Sequence, residues 1–362
     1  MSRYLSIRDL DWPLVIVATI ISALGILQIY SATHGTKWQD AWWKQILFVT
    51  AGLVIMWFMA SIDYHTLMGQ VPLMYGGSIL ILCMVLLFGA SVFGSRRWII
   101  VLGFTFQISE FVKLVLILLV ARFLTEIKSD TLGGQELLKL SGLVGLPMLL
   151  VMKQPDLGTS LTYVPIMGVG VFLAGLRRRF LAGIALLVVI VLPLSWSFLQ
   201  DYQKARLISF LDPDMDPRGS GYQMIQSKIA VGAGGMWGKG VTQGTQTQLR
   251  FLPVPHTDFI FSAFAEEHGF VGVVAVLALY FVLLMQIVQN AQTAPDRAGM
   301  YVCMGICALF LFHLLVNVGM VVGRMPVTGI PLPLMSAGGS NTLSTYLMLG
   351  LVNNVRLRRF VN

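Results

Sequence analysis

The sequence contains few charged residues and few cysteines. Asp, Glu, Lys and Arg make up 12% of the 362 residues, compared with roughly 25% in soluble domains. The three cysteines, Cys83, Cys303 and Cys307, lie inside apolar runs, which is typical of small buried hydrophobic residues. The HExxH, GxSxG and clustered Cys/His patterns are absent. Together these absences argue against a soluble enzyme, a disulfide-stabilised domain and a zinc site.

A phosphate-binding loop is also missing, although the glycine-rich segment GAGGMWGKG at residues 232–240 invites that interpretation. The pattern requires Gly five residues before Gly238, where Ala233 stands, and Ser or Thr after Lys239, where Gly240 stands. We therefore interpret the segment as a flexible outer loop and expect no nucleotide substrate.

Apolar runs dominate the rest of the chain. Hydrophobic residues make up 56% of the sequence and the mean hydropathy is +0.77, and many runs approach the ~20 residues that cross a bilayer. The sequence predicts an all-α polytopic membrane protein, a single domain over residues 1–362 with ten transmembrane helices. The predicted spans are residues 12–31, 43–61, 72–93, 106–125, 138–153, 158–176, 180–199, 258–288, 300–323 and 335–354.

The basic residues predict the orientation in the membrane. Lys and Arg outnumber Asp and Glu by 25 to 17, an excess that marks cytoplasmic loops and anionic headgroups in a membrane protein, not nucleic-acid binding. An even number of spans puts both termini on one side, and most arginines near span ends fall there, which predicts cytoplasmic termini. These arginines are Arg3, Arg8, Arg177, Arg178, Arg179, Arg297, Arg356, Arg358 and Arg359. Arg96 and Arg97 fall on the opposite face, where they would contact a ligand or anchor the chain at the interface.

One connection is much longer than the others. Residues 200–257 join the predicted seventh and eighth spans on the outer face, and loops of that length are usually functional or disordered. Tyr222, Ile225 and Ile229 follow near-helical spacing, which predicts a short helix on the membrane surface.

Polar residues interrupt the apolar runs at three places. Glu110 and Lys113 share one helical face of the fourth span. They would either form an ion pair that neutralises both charges or line a water-filled cavity that recognises a polar ligand. Asp156 lies in a Pro/Gly turn, where it would cap a helix or act in a site. The segment at residues 325–342 contains three prolines and cannot form a continuous helix, so we expect it to form the wall of a site.

The segment FLPVPHTDFIFSAFAEEHG at residues 251–269 contains the strongest candidates. Thr257 would cap the helix that follows, and Asp258 in its first turn would complement the helix dipole by ~0.3–1 kcal/mol. That role does not explain Glu266 and Glu267 two turns deeper. A carboxylate at the membrane rim is also suited to act as general base for a hydroxyl nucleophile. The residues alone leave two functions open, an outward-facing acid/base site or an ion-coupled transporter.

Several motifs resemble one family over nearly the whole chain. They are GSRRWI, QISEFVK, QPDLGTS, GIPLPLMSAGGS and the long run FLDPDMDPRGSGYQMIQSKIAVGAGGMWGKGVTQGTQTQLRFLPVPHTDFIFSAFAEE. Their order and content resemble the SEDS family (shape, elongation, division and sporulation proteins). The runs IQSKIA and GKGVTQGTQTQLRFLP are more similar to its rod-shape branch than to its division or sporulation branches.

The resemblance implies an enzyme that polymerises glycan strands of peptidoglycan from lipid II on the outer face of the cytoplasmic membrane. The family's essential carboxylate matches Asp258, and its charged pair in the central cavity matches Glu110 and Lys113. Its other signature runs contain Arg97, Trp98, Asp156, Ser336 and Gly338. The chain departs from the family at Val254, where a Glu is usual, and at Ile108, where a Pro is usual.

The implied reaction is attack on the anomeric carbon that bears undecaprenyl pyrophosphate. Asp258, flanked by His256 and Thr257, would take the proton of the acceptor's 4-hydroxyl. Basic groups or a divalent cation, Mg²⁺ or Mn²⁺, would stabilise the leaving group. Arg97, Lys239 and Arg206 are the candidates on the outer face.

The implied partners are lipid II, membrane lipid and a class B penicillin-binding transpeptidase, without nucleic acid. Two other functions fit the same residues. A flippase for lipid II would depend more on Glu110 and Lys113 than on Asp258, and a scaffold that only recruits cell-wall enzymes would tolerate replacement of Asp258.

Overall fold

The computed structural model describes residues 9–92, 95–101, 104–127, 131–176, 180, 183, 196–216 and 219–359. Most of the predicted seventh span and the arginines at positions 3, 8 and 177–179 lie outside the described residues. The helices are α1 Trp12–Thr33, α2 Ala41–Ser61, α3 Tyr64–Gly69, α4 Val71–Phe88, α5 Ile108–Glu126, α6 Gly134–Lys153, α7 Leu157–Leu161, α8 Tyr163–Leu173, α9 Asp201–Leu211, α10 Ser220–Ala233, α11 Thr245–Gln248, α12 Ile260–Gln292, α13 Arg297–Val321 and α14 Gly339–Arg358.

Six of these helices, α1, α2, α4, α6, α12 and α13, are long and apolar enough to cross a membrane. Their outward faces carry large exposed hydrophobic side chains, such as Phe58 on α2, Leu73 and Phe88 on α4, as is typical of helices in contact with lipid. The prediction of a multi-pass helical membrane protein is therefore confirmed, while the count of ten spans stays a prediction. Helices α5 and α14 coincide with the predicted fourth and tenth spans but contain more polar residues.

Helix α5 lies at the centre of the helical bundle. Its side chains from Val112 to Ala121 are all buried, and it packs against α4, α8, α13 and α14. A helix that is buried on every side must satisfy its own polar groups internally. This placement puts Glu110 and Lys113 inside the protein.

A small antiparallel sheet follows α4, where the sequence predicted only helix and loop. It consists of β1 Ala90–Val92, β2 Ser95–Val101 and β3 Phe104–Phe106 in the order β1-β2-β3. The predicted third span, which ran to residue 93, ends at Phe88 because Gly89 leaves the helical conformation. The β-branched run in β2 favours a strand, and β2 positions Arg97 and Trp98.

Helix α12 is interrupted at Gly269, whose φ of 65° and ψ of −167° are not helical. The interruption leaves backbone groups without helical partners, and the glycine-rich segment supplies them. The N–H groups of Lys239 and Gly240 donate to the carbonyls of Glu266 and Glu267 at 3.1 and 3.0 Å. A Cβ at position 238 would lie 2.1 Å from the Glu267 carbonyl oxygen, so only glycine fits there. The segment interpreted as a flexible loop is thus packed against a membrane helix.

The short helix predicted within the long connection is present as α10. The face predicted to be apolar is not the one that it buries, because Met224, Ser227 and Ala230 are buried and Ile229 is exposed. Ser227 Oγ donates to the Val321 carbonyl at 2.9 Å and lies 2.7 Å from Ser262 Oγ. Helix α10 therefore packs on α12 and α13 through small and polar side chains.

Candidate active site

Asp258 lies in the turn just before α12 and is partly exposed. Burial raises the pKa of its carboxyl group, while the positive charges of Arg206 and Arg97 and a hydrogen bond with Thr257 lower it. The net pKa is above the usual value for aspartate. A carboxylate whose pKa is shifted toward neutrality is a better general base near pH 7.

Arg97 and Arg206 approach Asp258 from two different elements. Arg97 on β2 forms an ion pair with Asp156, with 3.2 Å between Nη1 and Oδ2. Arg206 on α9 donates from Nη1 to the Thr328 carbonyl at 3.1 Å. Arg97, Arg206 and Asp156 thus lie close enough to Asp258 for their charges to act on its carboxyl group.

Asp156 both caps a helix and forms an ion pair. Its Oδ1 accepts the Thr159 N–H at 3.1 Å and so caps α7, while its Oδ2 accepts from Gln107 Nε2 and pairs with Arg97. The Arg97 guanidinium also lies 5.6 Å from the centre of the Trp98 ring. Arg97 Nε and Trp98 Nε1 are buried and have no hydrogen-bond partner in the described part of the chain.

The segment that the sequence predicted as a site wall, residues 325–342, begins with an irregular stretch over residues 325–338. It is not helical, so its carbonyl groups need partners from other elements. Side chains supply them: Arg206 to Thr328, Asn317 to Ile330, His313 to Pro331 and Tyr280 to Pro333. The broken backbone is therefore stabilised by specific polar side chains.

His256 and Thr257, which precede Asp258, contact the segment 325–338 through their backbone carbonyls. The His256 carbonyl accepts the Ala337 N–H at 2.9 Å, and the Thr257 carbonyl accepts from Ser336 Oγ at 2.8 Å. The His256 ring lies 5.8 Å from the Trp38 ring, and burial lowers the pKa of His256. Its imidazole is therefore neutral near pH 7. The Gly338 N–H donates to Gln45 Oε1 on α2 at 3.2 Å.

Glu110 and Lys113 form a separate buried cluster. Their side chains are 4% and 2% exposed, and Lys113 Nζ lies 2.8 Å from Glu110 Oε1. Lys113 Nζ also lies 3.3 Å from Nε2 of His313, whose Nδ1 lies 2.9 Å from the Pro331 carbonyl oxygen. Among the described residues, the space beside the pair is too small for a water molecule. This geometry favours the ion pair that neutralises both charges.

Lys239 lies in a third cluster, where its ammonium group pairs with Glu266 at 3.0 Å. The Glu266 carboxylate also accepts from the backbone of Gln246 and Thr247 and from the hydroxyls of Thr245 and Thr247. Glu267 accepts from Ser31 and Gln28 on α1. The two glutamates that the sequence left unexplained therefore hold the connection at residues 239–247 and α1 against α12.

We expect Glu266→Gln to loosen this connection. The amide cannot accept on its nitrogen, so at least one buried donor loses its partner, at a cost of about 1–3 kcal/mol. The melting temperature of the purified protein should fall, and proteolysis between residues 239 and 248 should accelerate. Glu126→Gln is the control, because Glu126 forms an exposed pair with Arg122. Equal melting temperatures for the two variants would contradict this role.

Metal-binding side chains do not cluster in the described residues, where no three His, Cys, Asp or Glu side chains come together as a metal site. Asp258 and Asp156 are the carboxylates nearest the two arginines. Mg²⁺ binds proteins through one or two carboxylates together with substrate phosphates. The residues present therefore do not form a protein cage for a cation.

The sequence did not identify Gln107 and Asn317 as site residues. Gln107 Nε2 contacts Asp156, and Asn317 Nδ2 donates to the Asp258 carbonyl at 3.0 Å. Asn317 stands alone in the apolar run LLVNVGMVV, and an isolated amide in a membrane helix is a signal that could have identified it.

Comparison with known proteins shows similarity over almost the whole chain. Residues 11–359 match the family model described as Cell cycle protein, which covers FtsW, RodA and SpoVE. The peptidoglycan glycosyltransferase MrdB of Escherichia coli strain K12 is 42% identical over 314 residues, which are 86% of this chain and 84% of that protein.

Two solved structures are also similar. A chain from a peptidoglycan synthase complex, described as coordinating polymerization and crosslinking, superposes with a TM-score of 0.85 at 34% identity over 98% of this chain and 99% of that one. The rod shape determining protein RodA of Thermus thermophilus superposes with a TM-score of 0.72 at 29% identity over 97% and 98% of the two chains. The chain belongs to the SEDS family, the cell cycle proteins that include FtsW, RodA and SpoVE.

Proposed function

We propose that this protein polymerises lipid II into glycan strands, with Asp258 as the general base. The chain is a peptidoglycan glycosyltransferase of the SEDS family and a multi-pass protein of the inner membrane. The observation that carries the proposal is the position of one partly exposed carboxylate beside two guanidinium groups, at the end of a membrane helix.

The carboxylate of Asp258 is suited to accept a proton from a sugar hydroxyl. It is partly exposed, so a substrate can reach it, and its pKa is raised by burial. In the proposed step, Asp258 takes the proton of the acceptor 4-hydroxyl. The oxygen forms a bond to the anomeric carbon of the donor, and the bond from that carbon to undecaprenyl pyrophosphate breaks.

Arg97 and Arg206 are suited to stabilise the pyrophosphate that leaves. Pyrophosphate carries several negative charges, and guanidinium groups bind phosphate oxygens with two parallel hydrogen bonds. The buried N–H groups of Arg97 Nε and Trp98 Nε1 have no protein partner in the described residues, so a phosphate oxygen would satisfy them. Lys239 is paired with Glu266, which makes it a weaker candidate than the two arginines.

A divalent cation would enter the site with the substrate. The two acidic side chains near the arginines supply too few ligands for a protein-held ion, and substrate phosphates would complete its coordination. When bound, it would neutralise charge on the pyrophosphate.

Polymerisation by the purified protein tests the proposal. Full-length protein in lipid nanodiscs would be supplied with lipid II, and the glycan products would be separated by gel electrophoresis. We expect polymer from the wild-type protein, and much less from Arg97→Ala or Arg206→Ala, with a loss of about 10²–10³-fold for a group that stabilises developing charge. Movement of lipid II across vesicle bilayers without polymer would instead support the flippase.

We also propose that both termini are cytoplasmic and that the site and residues 200–257 face outward. The interface with a class B penicillin-binding transpeptidase belongs to the same proposal. It is supported by the similarity to a chain of a synthase complex that polymerises and crosslinks.

Two exposed glutamines, one in the connection before α12 and one at the C-terminal end of α12, test the orientation in the membrane. Gln243 lies in the connection held by Glu266, and Gln292 ends α12. In intact spheroplasts, Gln243→Cys should react with a membrane-impermeant maleimide, and Gln292→Cys should react only after the membrane is permeabilised. The reverse labelling pattern would place the proposed site on the cytoplasmic side.

A further inference from the structure

We infer that Asn317, together with His313 one turn earlier on α13, is a positioning residue that holds Asp258 in place. This inference rests on the proposed role of Asp258 as general base. Asn317 is fully buried, and its Nδ2 group donates to the Asp258 carbonyl at 3.0 Å and to the Ile330 carbonyl at 2.8 Å. The Asn317 amide thus links Asp258, the residue with the catalytic carboxylate, to the irregular segment 325–338.

The turn before α12 depends on such contacts because its backbone forms no regular structure. Three consecutive carbonyls, those of His256, Thr257 and Asp258, each accept a hydrogen bond from outside the turn. Two of the donors, Ala337 N and Ser336 Oγ, belong to the irregular segment 325–338. Asn317 is the donor that comes from a long helix, so its position is set by the packing of α13.

His313 holds the same segment at the neighbouring carbonyl. Its Nδ1 donates to Pro331 at 2.9 Å, so its Nε2 is free to accept from the Lys113 ammonium at 3.3 Å. Residues 313 and 317 are four apart and therefore lie on the same side of α13. A continuous series of contacts runs from Glu110 and Lys113 through His313 to residues 330 and 331.

This arrangement assigns a role to the buried ion pair that needs no contact with substrate. The pair fixes the tautomer and orientation of the His313 ring, and the ring fixes the Pro331 carbonyl. Asn317 links Ile330, the residue before Pro331, to Asp258. A displaced Asp258 would still be a carboxylate. It would meet the acceptor hydroxyl in a poorer geometry and would lie differently relative to Arg97 and Arg206.

Asn317→Leu tests the inference because leucine has a similar size and no donor. We expect kcat for lipid II polymerisation by the full-length protein to fall about 10²-fold, the effect of a small misplacement of a reacting group. The KM for lipid II should stay within about twofold, since substrate contacts are unchanged. Asn290→Leu is the matched control. Asn290 is also buried and donates to Asp11 at 2.6 Å, at the far end of α12.

The pH profile separates positioning from general loss of structure. The charges of Arg97 and Arg206 lower the pKa of Asp258, while burial and Asp156 raise it, and neutral His256 adds no charge. Movement away from the arginines raises the pKa, so the acid limb of kcat should move to higher pH in Asn317→Leu. The same limb should stay in place in Asn290→Leu.

Asn317→Ser provides a second variant if the leucine variant does not fold. Its hydroxyl can donate to one of the two carbonyls, so we expect a kcat between those of wild type and Asn317→Leu. Equal losses of kcat in Asn317→Leu and Asn290→Leu at equal melting temperature, with no shift of the acid limb, would overturn the inference. Wild-type polymer formation in the same assay would show that the proposed function still holds, whereas its absence would overturn that function instead.

Discussion

Polymerisation of lipid II should fall by about 10²–10⁴-fold in Asp258→Asn, the typical effect of losing a general base. Asparagine keeps the shape of the side chain and its hydrogen bonds but cannot accept a proton at neutral pH. The measurement is the initial rate of glycan formation by the purified variant. Lipid II should still bind, because the carboxylate acts on the acceptor hydroxyl and not on the lipid anchor.

The stability of Asp258→Asn follows from the direction of the pKa shift. The carboxyl pKa in the folded protein is above its unfolded value, so any stability that this group contributes is present below the unfolded pKa and is lost as pH rises through the folded pKa. At neutral pH the substitution removes an ionised group that the fold disfavours. We therefore expect a melting temperature equal to or above that of the wild type.

The pH dependence of the wild-type rate follows from the same raised pKa of Asp258. Only the ionised carboxylate accepts a proton, so the wild-type rate should rise with pH through the raised pKa of Asp258. The residual rate of Asp258→Asn should not show this rise. Asp40→Asn is the control, since Asp40 is an exposed aspartate before α2. Near-normal polymerisation by folded Asp258→Asn would remove Asp258 from the mechanism and make neutral His256 the next candidate base.

Lys113→Ala should destabilise the protein more than any other single change considered. It leaves the Glu110 carboxylate buried without its partner, and breaking a buried ion pair in this way typically costs about 3–5 kcal/mol. Protein yield and melting temperature should both fall. The change also removes the donor to His313 Nε2, so polymerisation should fall even in the fraction that folds.

The double variant Glu110→Gln/Lys113→Met separates charge from shape. It removes both buried charges, and replacing a buried pair by neutral groups is often close to neutral for stability. We expect melting temperature to recover in part. Glu126→Ala, which breaks only an exposed pair, should change stability by less than about 1 kcal/mol. A double variant as unstable and inactive as the worse single variant would refute the paired structural role.

Local patterns were sufficient for most of the helices. Apolar runs of about twenty residues predict membrane helices because the bilayer core has a set thickness, and α1, α2, α6 and α13 begin within a few residues of their predicted starts. Prolines 326, 331 and 333 predict the broken segment for an equally local reason. The residues alone made Asp258 a candidate base beside its role at the helix start, and the resemblance then matched it to the family's essential carboxylate.

Other elements depended on contacts that local patterns do not contain. The sheet of β1, β2 and β3 depends on pairing between strands, and its residues read equally well as the end of a span. Glu266 and Glu267 suggested chemistry, but each satisfies donors from segments distant in sequence. The glycine-rich segment has its conformation because the break at Gly269 exposes backbone groups to it.

By itself, the sequence determined the number and character of the apolar runs, the breaks at proline and glycine, and the presence of a carboxylate at Asp258. Only the tertiary structure decided that Arg97, Asp156 and Arg206 lie near Asp258 and that Asn317 donates to the Asp258 carbonyl. The physical reason is the distance along the chain over which each effect acts. Bilayer thickness and backbone sterics act on neighbouring residues, whereas buried polar groups must find partners wherever the fold brings them.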